Sequence, residues 1–317
     1  MHCLKPLIRV EGQLKDIKSV FTKNTDNFNS RYYRQFGHLV PCTQCLNCRI
    51  LKSREWSARL GAESKLWPYT YFLTLTYNDD NIPDVEVDKH YLTGEKSVKV
   101  PTLNTEDVKK FIQRYRYNVD ADCTYFYSGE YGSKTHRPHY HLILFTKAKL
   151  DIHKIEKDWE IAIDGVCDLL SDMWSLGNVR VAIANGQRLK YVAQYTQKKY
   201  ATKNDGFDYG DRKVEFTSMS KKIPIGYKFF KEKKNEILKT DRLMSIDVPI
   251  VSIPNSFLKY GLKVGDLTDK EVEKIKARRL IKVYQFYKKN PKFLSDVISQ
   301  SMELERKQKD KQKNYRL

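Results

Sequence analysis

Two histidines and a glutamate occupy a segment that the sequence predicts to be a β-hairpin. His139 and His141 are two residues apart in a run of aromatic and aliphatic residues, so in a strand both side chains point to the same face. The preceding run ends at Glu130, and folding the hairpin back brings this carboxylate close to His139. Three ligands on one side leave a metal ion open on the other, as catalytic sites require. The sequence therefore predicts a metal site formed by Glu130, His139 and His141.

The same histidines have a simpler interpretation as ordinary strand residues that perform no chemistry. The i, i+2 spacing together with the carboxylate favours the metal site over this alternative. His136, in the loop of the hairpin, is an alternative third ligand and is otherwise a solvated turn residue.

A second group of chemically interesting residues lies in segment 187–200, which the spacing of its apolar residues predicts to be a helix. At about 100° per residue, one stripe comprises Leu189, Val192, Ala193, Thr196 and Tyr200. Tyr191 and Tyr195 lie one turn apart on the opposite side, so they are not the packing face. A tyrosine, with an unperturbed pKa of about 10, needs a nearby cation or base to act as a nucleophile. Lys198 is placed to supply that charge, and Lys199 is the alternative.

Together these motifs resemble those of the HUH endonucleases, the superfamily that initiates rolling-circle replication. The order also matches: an upstream strand at 71–77, the histidine strand, and then the tyrosine helix. Within the superfamily, the chain most resembles the replication initiation proteins of microviruses, in particular the gokushovirus branch. The residues that carry this narrower resemblance are Pro41–Arg49, Ser53–Trp56, Gly129–Gly132 and Arg137–His141. The resemblance covers about residues 40 to 200.

The resemblance implies an enzyme that nicks and rejoins single-stranded origin DNA. Tyr191 or Tyr195 would form a 5′-phosphotyrosyl intermediate, with Mg²⁺ or Mn²⁺ as the catalytic metal. A host helicase and a host polymerase would be partners, and the site of action would be the cytoplasm of the bacterial host cell. Two alternatives stay open: a non-catalytic, zinc-containing nucleic-acid-binding protein, and a transposase or relaxase of the same superfamily.

Composition agrees with a polyanionic partner. The 317 residues include 58 Lys and Arg against 39 Asp and Glu, which gives a formal charge of +19. No uninterrupted apolar run of about 18 residues is present, so a membrane partner is not expected. The start of the chain is too polar for an export signal. The cations predicted to contact DNA are Arg54, Arg59, Arg137, Lys228 and Lys231. The last two belong to a basic run interleaved with aromatic residues, a mixture typical of single-strand binding.

Three cysteines, Cys42, Cys45 and Cys48, are each separated by two residues. Their thiolates could hold zinc if a fourth ligand is available, with Cys3 as the first candidate and His38 as the second. The equally open alternative is a turn leading into a helix, in which the cysteines only pack. The remaining two cysteines are predicted to be small buried residues.

The predicted fold class is α+β, with a central antiparallel sheet that carries the histidine motif, flanking helices, and a mainly helical basic C-terminal extension. The predicted divisions are an N-terminal segment with the cysteine turn and a basic helix at 1–66, an endonuclease core at 67–235, and the extension at 236–317. Residues 1–40 show little periodicity and are expected to drape over the core. Segment 84–101 is predicted to be an inserted hairpin.

Overall fold

A computed structural model of the chain describes residues 7–10, 13–16, 38–43, 45–87, 98–119, 122–132, 135–154, 165–198, 211–245 and 247–290, with isolated positions further on. The chain divides into two compact units. One comprises Met1–Leu51 with Asp269–Leu317, and the other comprises Lys52–Thr268. The predicted three-part division stays a prediction.

The described residues form twelve strands and eight helices. The strands are β1 (Leu7–Val10), β2 (Gln13–Asp16), β3 (His38–Val40), β4 (Tyr69–Thr76), β5 (Asp84–Val87), β6 (Val98–Pro101), β7 (Cys123–Tyr131), β8 (Pro138–Thr146), β9 (His153–Lys154), β10 (Gly165–Val166), β11 (Val179–Ile183) and β12 (Phe216–Met219). The helices are α1 (Leu46–Ser64), α2 (Thr105–Val119), α3 (Asp168–Trp174), α4 (Gly186–Lys198), α5 (Tyr227–Glu232), α6 (Lys234–Thr240), α7 (Asn255–Lys263) and α8 (Asp269–Lys289). None of these helices is long and apolar enough to cross a membrane.

The larger unit is built on a seven-stranded sheet in the order β12-β7-β8-β4-β11-β10-β9. Every neighbouring pair in this sheet is antiparallel. The central strands β7 and β8 form the predicted hairpin, and β4 lies on the other side of β8. The α+β prediction, with a central antiparallel sheet and flanking helices, is therefore confirmed.

The sheet is covered by helices on both faces. On one face, Leu73 and Tyr140 belong to a core cluster with Phe111 of α2 and Trp174 of α3. On the other face, a second cluster brings together Trp56 and Leu60 of α1, Leu189, Val192 and Ala193 of α4, and Phe72, Phe126, Ile143 and Phe145 of the sheet. Because side chains alternate along a strand, each central strand contributes to both clusters. The metal-site residues lie on the face that α4 covers.

Local sequence accounts for the start of α2, which was predicted from a capping residue. The side-chain oxygen of Asn104 accepts a hydrogen bond of 3.0 Å from the backbone N–H of Glu106. Val108, Phe111 and Ile112 then face inward, as the spacing predicts. Segment 84–101 forms a strand pair with Val85 opposite Val100, and its turn lies outside the described residues.

Two expectations differ from the structure. Residues 1–40 were expected to lack regular structure, but β1 pairs with both β2 and β3 in a three-stranded sheet. The helix predicted around Val166 begins at Asp168, because Val166 itself pairs with His153 in the sheet. The tail beyond Glu305 lies outside the described residues.

Candidate metal and tyrosine site

The register of the central strands brings Glu130, His139 and His141 together. Glu130 lies directly opposite His139 in the β7–β8 pair. Its Oε1 atom is 2.9 Å from Nε2 of His139 and 2.8 Å from Nε2 of His141. The three side chains form a group that could hold a metal ion, with all ligand atoms within 4.8 Å of one another. The arrangement offers one carboxylate and two imidazoles from two adjacent strands.

Contacts at the far side of each imidazole fix which nitrogen is presented to the group. Nδ1 of His139 lies 3.2 Å from the backbone carbonyl of Arg137. Since a carbonyl only accepts, that contact requires a proton on Nδ1 and leaves Nε2 for a metal. Nδ1 of His141 lies 3.1 Å from Oγ1 of Thr74 on β4, the residue directly opposite it in the sheet. Both rings therefore direct Nε2 toward Glu130.

The carboxyl group of Glu130 is 3% exposed. Burial alone would raise its pKa, but the hydrogen bonds from His139 and His141, and their positive charge when protonated, outweigh it and hold the pKa well below its usual value. Glu130 is therefore a carboxylate, the form that binds a metal ion.

The tyrosines of α4 face this group. The hydroxyl of Tyr191 is 3.4 Å from Nε2 of His141, and the Tyr191 side chain is 42% exposed. Tyr195 is half-buried, and its ring stacks on the imidazole of His141 with centroids 5.5 Å apart. Burial, hydrogen bonds to Tyr191 and the negative charge of Glu130 raise the pKa of Tyr195 well above its ordinary value. The two phenols are thus neighbours with different surroundings.

Helix α4 is held in this orientation by its apolar stripe. Leu189, Val192, Ala193 and Thr196 are buried, while Tyr191 is not. Lys198 is the last residue of α4; its side chain, and Lys199 altogether, lie outside the described residues. His136 is exposed in the hairpin loop and is not a member of the ligand group.

Two residues that frame the site were missed as functional candidates. Thr74 was placed on the correct face of its strand, but its hydroxyl contact with His141 was not anticipated. Phe72, two residues earlier on the same face, stacks on His141 with centroids 5.4 Å apart. Period-two alternation from Thr74 back to Phe72 was the available signal.

The predicted DNA contacts have different environments. Arg54 and Lys228 are exposed. Arg137 forms an ion pair of 2.5 Å with Asp79 and donates to the backbone carbonyl of Tyr77. Lys231 pairs with Asp266 at 2.8 Å. These cations therefore include two already engaged with acidic side chains.

The prediction that Arg59 contacts DNA from a basic helix face is wrong. Arg59 is 5% exposed, its Nε donates to the carbonyl of Ile225 at 3.1 Å, and its guanidinium lies 3.8 Å from the Trp56 ring centroid. Burial lowers its pKa to about 10, although Glu55 and Glu63 oppose the change. Arg59 therefore joins α1 to the segment before α5.

The aromatic residues of the basic run are also not a stacking surface for bases. Tyr227 and Phe230 are 2% and 1% exposed. They pack against Phe257 of α7, with centroids 5.6 Å away in both cases. The interleaving of aromatic and basic residues reflects the two sides of short helix α5, one packed and one solvated.

The cysteines Cys42, Cys45 and Cys48 come together as a second group that could hold a metal ion. Cys48 is buried, and the other two are partly exposed. Of the predicted fourth ligands, Cys3 lies outside the described residues, as does the side chain of His38. Cys123 and Cys167 are buried, as predicted.

Comparison with known proteins agrees with the resemblance recognised in the motifs. Residues 70–200, which span the sheet from β4 to the end of α4, match the family of replication-associated proteins that is described by its member ORF2. The chain is 28% identical over 249 residues to replication-associated protein ORF2 of Spiroplasma virus 4, which covers 77% of this chain and 74% of that protein.

Two further relatives are also phage proteins. Replication-associated protein VP4 of Bdellovibrio phage phiMH2K is 28% identical over 245 residues, covering 73% of this chain and 68% of the relative. Replication-associated protein ORF4 of Chlamydia phage 1 is 24% identical over 243 residues, covering 74% of this chain and 56% of the relative. No solved structure matches the chain.

Proposed function

Residues 70–200 carry the domain of the ORF2 family of replication-associated proteins, and from this premise we propose that the chain starts replication of a small phage genome by cutting and rejoining one DNA strand. The relatives are replication-associated proteins of three phages, which supports a role in replication. The finer proposal is a metal-dependent nickase and strand transferase with a tyrosine nucleophile.

One observation carries this proposal: a tyrosine hydroxyl lies beside a buried group of metal ligands. The Tyr191 oxygen is 3.4 Å from Nε2 of His141, which in turn is 2.8 Å from Glu130. A histidine pair that served only to pack the sheet would not need a buried carboxylate, because burying a charge is costly unless it is paired. Here the charge lies at the side of the sheet that the tyrosines cover.

The donor set fits a divalent ion. Glu130 offers a carboxylate oxygen, and both histidines offer Nε2, with their Nδ1 atoms engaged elsewhere. A bound divalent ion supplies Lewis-acid polarisation of the scissile phosphate. The carboxylate suits Mg²⁺ or Mn²⁺, the proposed cofactors, and imidazoles favour the softer of the two; the same ligands also tolerate zinc.

The proposed step exchanges one phosphate ester for another. The tyrosine oxygen forms a bond to phosphorus while the bond from phosphorus to the 3′ oxygen breaks. The phenol loses one proton and the departing 3′ oxygen gains one, so charge is balanced. The products are a 5′-phosphotyrosyl link and a free 3′-hydroxyl that a host polymerase can extend. Because the number of ester bonds is unchanged, the reverse reaction can seal the strand.

We assign the first attack to Tyr191. Its side chain is exposed enough to meet an incoming strand, whereas Tyr195 is half-buried against the imidazole of His141. Tyr195 is one turn further along α4, so a modest shift of the strand brings the phosphate to it. The second phenol can then cut a newly made origin while the first remains bonded to DNA.

The charge of +19 supports the proposed partner, a single-stranded or supercoiled phage origin DNA. Arg54 and Lys228 remain the predicted contacts that are exposed. The proposal also includes a host helicase as a partner and the cytoplasm of the bacterial host cell as the site of action.

The proposal is tested by separating cutting from binding. Single-stranded oligonucleotides tiled across the genome that encodes the chain are incubated with Mn²⁺ and wild-type protein, His139→Ala or His141→Ala. We expect the wild type to cut one oligonucleotide, and both variants to bind it with similar affinity without cutting. DNA affinity comes mainly from phosphate contacts with Lys and Arg, whereas the histidines act on the reaction. Full cutting by the double histidine variant would refute the assignment.

A further inference from the structure

We propose that Cys42, Cys45 and Cys48 form a thiolate site that binds one zinc ion, chemically distinct from the carboxylate and imidazole site. The proposed nickase reaction makes no use of these residues. Their grouping is the only other cluster of three or more potential metal ligands among the described residues. The inference does not rest on the proposed function.

The distances between the sulfur atoms suit a single ion. The three Sγ atoms lie within 4.8 Å of one another. In a tetrahedral zinc site with Zn–S bonds of about 2.3 Å, neighbouring sulfurs are about 3.8 Å apart. Side-chain rotations that move the sulfurs by about 1 Å are therefore sufficient, with no change in the backbone path.

The backbone around the cysteines places N–H groups where thiolates need them. The N–H of Cys45 donates to Sγ of Cys42 at 3.3 Å. Helix α1 begins at Leu46, so Cys48 lies in its first turn, where the helix dipole favours negative charge. Arg49, the next residue, adds a positive charge to a centre whose three thiolates exceed the charge of the ion by one.

The turn between the first two cysteines has an unusual conformation. Thr43 has φ of +64°, in the left-handed region that β-branched residues rarely occupy. Its hydroxyl donates to the carbonyl of Cys42 at 2.7 Å. Such a conformation costs about 1–3 kcal/mol and persists where its surroundings hold it in place. A zinc ion bonded to Cys42 and Cys45 would hold this turn from both ends.

Three thiolates require a fourth donor to complete a tetrahedron. The sequence offers Cys3 and His38, and a water molecule would serve otherwise. An iron–sulfur cluster is a distinct outcome, since cysteines separated by two residues also ligate such clusters. We infer zinc because a single ion fits the observed sulfur separations.

The first experiment measures metal content in protein purified without added metal. Wild type, Cys45→Ser, the buried-cysteine control Cys167→Ser, and His141→Ala are analysed for zinc and iron. We expect about one zinc per chain in the wild type and in both controls, and loss of most of it in Cys45→Ser. Zinc that is lost in His141→Ala but kept in Cys45→Ser would overturn the assignment, as would iron with visible absorption.

The second experiment uses only the wild type, so it stands even if Cys45→Ser fails to fold. Metal-stripped protein is treated with a thiol-alkylating reagent with or without added zinc, and the modified peptides are mapped by mass spectrometry. We expect zinc to protect Cys42, Cys45 and Cys48 from alkylation. Equal alkylation in both samples overturns the proposal. DNA cutting is not a readout here, so a negative result leaves the tyrosine chemistry untouched.

Discussion

Replacing Thr74 by valine removes one hydroxyl beside the metal ligands and little else. Valine has nearly the same shape and the same preference for a strand, so β4 should keep its place in the sheet. What is lost is the contact of 3.1 Å between Oγ1 of Thr74 and Nδ1 of His141. His141 is 7% exposed, so water cannot readily replace the lost partner.

The size of the effect follows from that single contact. Leaving one buried donor without a partner costs about 1–3 kcal/mol. Mutation of a residue that orients a metal ligand typically lowers metal affinity about 10–100-fold, which corresponds to about 1.4–2.8 kcal/mol. The two ranges overlap. We therefore expect Thr74→Val to raise the Kd for Mn²⁺ by about tenfold or more.

The assay is a titration of metal-stripped protein with Mn²⁺, read by paramagnetic resonance or calorimetry without DNA. Thr74→Ser keeps the hydroxyl and should bind Mn²⁺ like the wild type. Thr76→Val is the matched control, because the Thr76 hydroxyl lies on the same strand face but donates to the carbonyl of Asn178 at 3.2 Å. A Thr74→Val variant with wild-type affinity would refute the view that Thr74 positions His141.

Further predictions concern the arginines of α1 and the residues of α4. Arg59→Met should lower the free energy of unfolding by about 2 kcal/mol in a denaturant titration, with DNA affinity nearly unchanged. Arg54→Met, on the exposed side, should do the reverse and weaken DNA binding in a salt-dependent way. Tyr191→Phe should slow the first covalent step more than Tyr195→Phe in a single-turnover assay, and the double variant should form no adduct. Lys198→Ala should slow cutting most at neutral pH and recover partly toward pH of about 10, where an unassisted phenol ionises.

The hairpin and its ligand group were accessible from sequence because both depend on short-range rules. Alternation puts His139 and His141 on one face, and a short loop returns Glu130 to the start of the second strand. The orientation of α4 follows in the same way from its buried stripe, which needs only the period of a helix. These rules hold whatever lies elsewhere in the chain.

The fate of Arg59 depends on residues far away in sequence, so charge alone gave the wrong prediction. Its partner is the carbonyl of Ile225, 166 positions further on. A signal was present, since Trp56, Arg59 and Leu60 follow the i, i+3, i+4 spacing of a packed stripe. Arginine has a long apolar stem that can lie on an aromatic ring, so its type does not decide on which side of a helix it lies.

The short edge strands β9 and β10 also escaped prediction, for a different reason. Each has two residues, too few for any period to be read. Their pairing is fixed by the neighbouring β11, which supplies the partner of Gly165 at Val181. Strands of this length are a consequence of the sheet rather than of their own residues.

The most direct test of the central claim is to locate the tyrosine that becomes bonded to DNA. The oligonucleotide that the wild type cuts is incubated with the protein and Mn²⁺, the denatured adduct is digested, and the DNA-linked peptide is identified by mass spectrometry. The account predicts attachment at Tyr191, or at Tyr195 in a minority of molecules, and no adduct with Glu130→Ala. Attachment at any tyrosine outside α4, or cutting that leaves no covalent link, would contradict it.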